Sequence, residues 1–412
     1  MRRERNHPLP HPIQLHRLRL ARQVERHQVP LAAQRLGDFG ADVIKVEPPE
    51  TGEKMRTWSQ ASAYLKGESV SFLAYNRNKR SVALDLKSEA GLAIVLRLLK
   101  TADVLIENFR PGVMDRLGLG FNALHEIVPS LIYCSASGFG AKGPDGAKPA
   151  VDLLAQARGG LVWLNGRRTD PPMPVGTNIS DIYSANLLAF AVVSALFYRF
   201  RTGEGQLVEV DLLSSTIDMQ GEEFSLFLNC GLAPERSETG TPCPYLGAPY
   251  GIFATTDGFV AIGLASLSQV FDALGLHSLA AVYADDPNRV RAYTDRDRVR
   301  PIVEEAIRKL STSGALAALE KVGIWCTRVN SFEEVVKDPQ VMNQEMFVTM
   351  AHSTVGPVRL TGIPIRMSAT PGELRLPPPV LGEHTGEVLA ELGYSQQDIQ
   401  ALRKDGAIWY PS

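Results

Sequence analysis

The sequence predicts an α/β fold in which helices cover a Rossmann-like, mostly parallel sheet. Short apolar runs with strand character alternate with helical stretches over the first half of the chain, and this alternation is typical of parallel sheets. A chain of 412 residues is too long for one ordinary core, so we expect two domains. Hydrophobic residues make up 44% and charged residues 21%, which are the values of a globular protein.

Five strands of the sheet can be placed from their apolar runs and their boundaries. A helix that ends at Gly37 and Gly40 precedes the first of them, and Ser88 caps a helix that follows the second. The predicted strands are residues 41–47, 81–86, 103–107, 131–135 and 206–212. Ligands of such sheets bind beyond the carboxyl ends of the strands. We therefore expect the functional site at that edge.

The predicted secondary structure changes near residue 221. Residues 251–262 predict a hairpin that turns at Asp257 and Gly258, and helical stretches follow around residues 267–274 and 298–310. Ser395 begins a pattern that resembles a capping box, which predicts a last helix. The middle of the chain therefore predicts a smaller α+β unit, after which the chain returns to the first one.

One glycine pattern after a strand is misleading. Residues 138–143 fit GxGxxG, but a dinucleotide site of this kind must open directly into a helix. Here Pro144 and Gly146 follow, so the chain is expected to turn instead. We do not predict a nicotinamide-dinucleotide site.

Charge and cysteine content narrow the class of protein. The net charge of -2 gives no indication of binding to nucleic acid or to a membrane surface. The four cysteines are far apart without CxxC spacing, so neither a disulfide framework nor a metal site is expected. A reducing cytoplasm is the expected location.

An apolar stretch, residues 182–200, follows residues 175–181 and predicts a buried helix of a soluble protein. Its unbroken apolar segments are shorter than the roughly 18 residues that a membrane span needs. Asp181 lies at the start of this helix, where unpaired N–H groups and the helix dipole keep a carboxylate ionised. Two interpretations stay open from these residues. Either Ser180 or Asp181 is a helix cap, or Asp181 is a nucleophile.

The first 32 residues differ from the rest of the chain. Residues 1–30 contain four of the eight histidines and seven arginines, and they show no alternating apolar run. We expect this segment to be unstructured or foreign to the fold, and a reading-frame error upstream of about Ala32 is one hypothesis for it.

Five segments, taken together over roughly residues 33–412, resemble the family III CoA-transferases, the formyl-CoA and carnitine CoA-transferase-like proteins. In chain order they are residues 36–47, 78–81, 107–112, 201–206 and 381–385. The resemblance implies a large CoA-binding α/β domain, residues 33–220 plus 335–412, and a small domain, residues 221–334. It also implies a homodimer of interlocked rings.

The resemblance carries site residues over by position. It implies that Asp181 is the catalytic aspartate and that Gly247 and Gly251 belong to the glycine-rich loop over the substrate, although the family's run of consecutive glycines is absent here. The positions implied to bind CoA are Leu84, Lys87, Asn108, Phe109, Arg110, Arg116 and Asp152. Lys79 and Arg80 are expected to add positive charge for the CoA phosphates.

The implied reaction moves CoA from an acyl-CoA to a small carboxylic acid through an aspartyl-CoA thioester on Asp181, with helix-start N–H groups available for the oxyanions. Coenzyme A is then a substrate, and no metal is needed. The 2-methylacyl-CoA racemases are similar to this chain, but they have a histidine where this chain has Val151. A third possibility is a catalytically impaired CoA-binding homologue, because of the atypical N-terminus.

Overall fold

The computed structural model describes residues 19–21, 28–286 and 288–411. They divide into two compact units. The first contains the described residues up to Ala155, then Asn178–Thr216 and residues 342–411; the second contains Gln156–Thr177 and Ile217–Val341. Residues 156–177, which we expected in the large domain, therefore belong to the second unit.

The strands of the first unit form one parallel sheet, one mostly parallel sheet and two hairpins. In chain order they are Arg19–Ala21, Val43–Glu47, Tyr64–Leu65, Glu68–Ser69, Lys79–Leu84, Val104–Glu107, Ile132–Ser137, Leu207–Asp211, Phe347–His352, Gly356–Thr361 and Ile408–Trp409. One sheet has the order Arg19–Ala21, Val43–Glu47, Lys79–Leu84, Ile408–Trp409, and only its last strand is antiparallel. The other sheet pairs Val104–Glu107, Ile132–Ser137 and Leu207–Asp211 in parallel.

Two helices around these sheets begin at the caps that the sequence predicted. Ser88 accepts a hydrogen bond from the N–H of Gly91, and Ser395 forms a capping box with Asp398, both as predicted. The helices of this unit are Gln28–Asp38, Lys54–Thr57, Val70–Tyr75, Glu89–Leu99, Val113–Arg116, Phe121–Ile127, Asp152–Arg158, Ile179–Thr202, Leu212–Asp218, Thr385–Glu391 and Gln396–Lys404, with a 3₁₀ turn at Gln60–Ser62; two of them end just inside the second unit.

The second unit contains a three-stranded antiparallel sheet, Gly251–Ala254, Phe259–Ile262 and Cys326–Arg328. The first two strands are the predicted hairpin. Its helices are Gly221–Cys230, Leu267–Ala273, His277–Val282, Val290–Thr294, Arg296–Ile307, Thr312–Glu320, Phe332–Val335 and Pro339–Asn343, with a 3₁₀ turn at Leu161–Trp163. A separate hydrophobic core that includes Phe253, Phe271 and Val303 holds this unit together.

The N-terminal segment contradicts our expectation where the structure describes it. Arg19–Ala21 pairs in parallel with Val43–Glu47 and also lies against Val104–Glu107, so a strand that we did not predict joins the two sheets. A buried helix starts already at Gln28. Three residues are too few to show an alternating pattern, which is why the strand could not be recognised. The other residues before Gln28 lie outside the described part of the chain.

The long helix Ile179–Thr202 is only half buried, contrary to our expectation. Ala185, Leu188 and Val192 pack into a core cluster, whereas Phe190 and Phe197 on the opposite face are 70% and 62% exposed. Within the described residues it is the one helix with the length and composition to cross a membrane, and 39% of its most apolar window is buried. The exposed face is a surface that a second molecule could cover.

Candidate active site

Asp181 lies in the first turn of Ile179–Thr202 and is 3% exposed. Asn178 occupies the cap position and makes no side-chain capping bond. The prediction that Ser180 or Asp181 is a cap by position is therefore wrong. Asp181 is a buried carboxylate at the positive end of a 24-residue helix.

Asp152 performs the capping from a separate helix. Its Oδ1 atom accepts hydrogen bonds from the N–H of Ser180 at 2.7 Å and from the N–H of Asp181 at 3.2 Å. These two groups are therefore already bonded, so they are not the open oxyanion donors that we expected at this helix start. Asp152, which the resemblance implied to bind CoA, thus contacts the first turn of Ile179–Thr202, and its role toward CoA stays a prediction. A second carboxylate thus lies beside the nucleophile candidate.

Two hydroxyls support the same turn, and sequence reasoning missed one of them, that of Thr216. The Thr216 hydroxyl donates to the carbonyl of Leu212 at 2.6 Å and lies 2.8 Å from the Oγ atom of Ser180. Ser180 and Thr216 are both fully buried. No motif in the sequence marks this contact, because the two residues belong to different helices, 36 positions apart.

Tyr75 is a third residue that sequence reasoning did not single out. Burial raises the pKa of its phenol, and the negative charge of Asp181 raises it further, while Arg35 opposes the shift. The phenol is therefore neutral and close enough to Asp181 to respond to its charge. The only signal in the sequence is that Tyr75 lies three residues before the start of the family-like segment at residues 78–81.

A cleft of about 230 Å³ brings together three of the residues implied to bind CoA, Asn108, Phe109 and Arg110. Ser137 and Lys148 line it as well. Asn108 is 3% exposed, and its amide has no hydrogen-bond partner in the part of the chain that the structure describes. An unsatisfied buried amide is costly. A ligand that enters the cleft and bonds this amide would remove that cost.

The other implied CoA positions do not line this cleft. Leu84 is fully buried in its strand, whereas Lys87 and Arg116 are exposed. Exposed cations suit the phosphates of CoA, and the roles of these residues stay predictions.

Two cations do not have the role that we expected. Lys79 is buried, and its Nζ atom donates to the carbonyls of Pro30 and Tyr75 and to the side chain of Asn76. Arg80 forms ion pairs with Asp42, Glu387 and Glu391. Both cations already have protein partners, so neither is available to hold a phosphate. The sequence could not show this, because the partners of Arg80 are as far as 311 residues away.

Glu107 contacts the backbone of Phe109, one of the residues that line the cleft. Its Oε2 atom accepts the N–H of Phe109 at 2.7 Å. Burial raises the pKa of Glu107 to about 7, against the opposing hydrogen bonds from Ser135 and Phe109, and Asp115 adds to the rise. Its usual value is 4.5, so the folded state holds this proton where the unfolded chain has lost it. The free energy of unfolding therefore falls as the pH rises from about 4.5 to about 7.

We expect Glu107→Gln to remove this contribution while it keeps an acceptor for the Phe109 N–H. Unfolding midpoints between pH 5 and pH 8 should then decline less in the variant than in the parent protein. Glu204→Gln, an exposed position, is the control and should leave the slope unchanged. An identical pH slope in Glu107→Gln and the parent would contradict the assignment.

Gly247 and Gly251, implied to belong to the substrate loop, lie in the second unit, and each has another atom close to the position that a Cβ would occupy. A Cβ at Gly247 would lie 2.5 Å from the backbone of Ala292, and one at Gly251 would lie 2.3 Å from Nη1 of Arg300. Packing thus requires glycine at Gly247, whereas the atom close to Gly251 is the end of a flexible side chain. Their role over a substrate stays a prediction.

Among the described residues, no group of three or more His, Cys, Asp or Glu side chains could hold a metal ion.

Comparison with known proteins identifies the class of protein. The profile of CoA-transferase family III matches residues 23–385. The human succinyl-CoA:glutarate CoA-transferase is 32% identical over 383 residues, which cover 92% of this chain and 86% of that protein. A succinate–glutarate CoA-transferase of Agrobacterium fabrum is 34% identical and covers 88% and 92% of the two chains.

The solved structures agree with the sequence comparison. A CaiB/BaiF family protein from Brucella suis matches with a TM-score of 0.79 at 32% identity, over 92% of this chain and 99% of the other. The protein belongs to CoA-transferase family III. The predicted α/β fold with parallel sheets is thereby confirmed.

Proposed function

We propose that the enzyme moves CoA between an acyl-CoA thioester and a free carboxylic acid through an aspartyl-CoA thioester on Asp181. The observation that carries the proposal is the buried Asp181 carboxylate at the start of Ile179–Thr202, in a chain of CoA-transferase family III. Attack of this carboxylate on the thioester releases CoA thiolate and leaves a mixed anhydride. The thiolate then attacks the aspartyl carbonyl and frees the first acid.

The acids are proposed to be short dicarboxylic acids. The relatives named above act on succinyl-CoA or succinate and on glutarate, and another similar protein, from Chloroflexus aurantiacus, is named for succinyl-CoA and D-citramalate. At 31 to 34% identity, this similarity supports the substrate class rather than one acid. The acceptor reverses the first half-reaction, so thioester energy is conserved.

A homodimer of interlocked rings belongs to the same proposal. The exposed apolar face of Ile179–Thr202 supports it, as do Leu228 and Trp325, which are 74% and 75% exposed. Apolar patches of this kind mark interaction surfaces in folded proteins.

A panel of acyl-CoA donors and acid acceptors tests the function, with the product thioesters identified by mass spectrometry. Succinyl-CoA with glutarate should give glutaryl-CoA and succinate, and the active species should have twice the 45.0 kDa mass of the chain by light scattering. Monocarboxylic acids of equal length serve as the matched comparison. Absence of any thioester exchange across the panel would exclude CoA transfer.

The racemase alternative predicts a different result when the enzyme is incubated in deuterated water. A racemase would exchange the α-proton of a 2-methylacyl-CoA with deuterated water. Val151, which is exposed and carries no exchangeable side-chain proton, occupies the position where the racemases have a histidine. We therefore expect no deuterium incorporation above the rate without enzyme. Fast incorporation would favour the racemase.

A further inference from the structure

The helix Leu212–Asp218 is attached at its start to the wall of the cleft. The N–H of Leu213 donates to the carbonyl of Gly138 at 3.1 Å, and Gly138 lines the cleft of about 230 Å³. Asp211, which ends the preceding strand, accepts the N–H of Ser214 at 2.7 Å through its Oδ1 atom. These bonds hold the start of the helix in a defined position relative to the cleft.

One turn further along this helix, the Thr216 hydroxyl contacts the first turn of the helix Ile179–Thr202. A hydroxyl has one hydrogen, and a carbonyl oxygen can only accept. The short contact of Thr216 with the carbonyl of Leu212, at 2.6 Å, therefore takes the hydrogen of Thr216. The Ser180 hydroxyl, 2.8 Å away, then donates to Oγ1 of Thr216. The three groups form a directed chain of hydrogen bonds that ends at a backbone carbonyl.

The position of Asp181 depends on this chain of bonds. Ser180 and Thr216 are fully buried, so water does not compete for their hydroxyls. Asp152 accepts backbone N–H groups of the same turn, whereas Thr216 holds the side chain of Ser180. Ser180 directly precedes Asp181, so a shift of one residue moves the other. A displacement of about 1 Å in a reacting group can lower a rate by about 10²-fold.

We propose that Thr216 is a positioning residue, which holds Asp181 at a defined place relative to the cleft through Ser180 and the helix Leu212–Asp218. The catalytic part of this proposal rests on the proposed function, because it takes Asp181 as the nucleophile. The hydrogen-bonded link from Gly138 to Ser180 does not depend on that function. A thioester bound in the cleft and the carboxylate that attacks it need a constant separation, and this helix provides it.

Thr216→Val in the full chain tests the role of the hydroxyl, because it removes this group and keeps the shape of the side chain. We expect kcat for transfer from succinyl-CoA to glutarate to fall by about 10- to 100-fold, while the affinity for CoA measured by calorimetry stays at the parent value. Thr216→Ser retains the hydroxyl and should restore most of kcat. Ser215→Ala is the matched control, since it removes the neighbouring buried hydroxyl, which donates to the carbonyl of Asp211, and it should keep the parent kcat.

A double variant, Thr216→Val with Ser180→Ala, separates positioning from fold stability. Thr216→Val alone leaves the buried Ser180 hydroxyl without its acceptor, which lowers the thermal midpoint. The double variant replaces both partners by apolar groups, so its midpoint should return toward that of the parent. We expect its kcat to stay as low as in Thr216→Val, because the link is still absent. Parent kcat in either the single or the double variant overturns the proposal.

Amide hydrogen exchange separates the link from the reaction. Exchange over residues 178–184 should be faster in Thr216→Val than in the parent, and unchanged in Ser215→Ala, because only the first variant releases the turn. Equal exchange in Thr216→Val and the parent overturns the link even where CoA transfer is active. Faster exchange in Thr216→Val, together with a parent protein that shows no CoA transfer, supports the link and overturns the proposed function instead.

Discussion

Asp181→Asn is expected to lower CoA transfer by at least about 10³-fold, because an amide cannot attack the thioester and form the acyl intermediate. The substitution keeps the size of the buried side chain, so the fold and the affinity for CoA should change little. Hydroxylamine added during turnover should convert the aspartyl-CoA thioester of the parent into a hydroxamate at Asp181. Peptide mass spectrometry then locates the modified residue, and the variant should show none.

Asp152→Asn is the informative comparison, since it changes a carboxylate in contact with the same helix turn. An amide oxygen can still accept the N–H of Ser180, but the negative charge at the helix start is lost. We expect an intermediate loss, about 10- to 100-fold, with the hydroxamate still formed at Asp181. If Asp181→Asn retains more than a tenth of the parent activity, the covalent mechanism is wrong.

The sequence was sufficient to predict most of the strands in the parallel sheets of the first unit. The predicted strands 103–107 and 131–135 contain the apolar runs 104–106 and 131–134, and the structure has strands at Val104–Glu107 and Ile132–Ser137. Buried parallel strands have this composition because both faces are covered. Arg19–Ala21 has no such run, so its place in the sheet depends on pairing with the neighbouring strands. Such pairing cannot be predicted from the local sequence.

The candidate site was predictable only in part for a related reason. The position of Asp181 follows from a helix start and a family-like pattern, both of which are local. The contacts of Asp152 with Ser180 and of Tyr75 with Asp181 depend on how separate helices pack. Lys79 was predicted to be a cation available to the CoA phosphates, because lysines in charged segments are usually solvated. Its carbonyl partner Pro30 lies far away in the sequence, so its burial could not be predicted.

Arg77 is the buried cation for which we expect the largest effect on stability. Its Nε and Nη2 atoms donate to the two oxygens of Asp38 at 2.9 and 2.7 Å, and its Nη1 atom donates to the carbonyl of Thr361. Neither charged side chain has exposed area. Asp38 ends the helix Gln28–Asp38, and Thr361 ends the strand Gly356–Thr361, so this one side chain joins two elements that are distant in the sequence.

Arg77→Met should therefore lower the free energy of unfolding by about 3–5 kcal/mol, because the charge of Asp38 stays buried without its cation. The thermal midpoint should fall by roughly 10 °C, at about 2–4 °C for each kcal/mol in a chain of this order of size. Arg308→Met makes the same change at an exposed pair with Glu304 and should cost less than about 1 kcal/mol. Equal midpoints for the two variants would show that the Asp38–Arg77 pair contributes no more than a surface pair. A large loss in Arg77→Met alone would support the conclusion that this buried ion pair, which includes Asp38 at the end of Gln28–Asp38, stabilises the first unit.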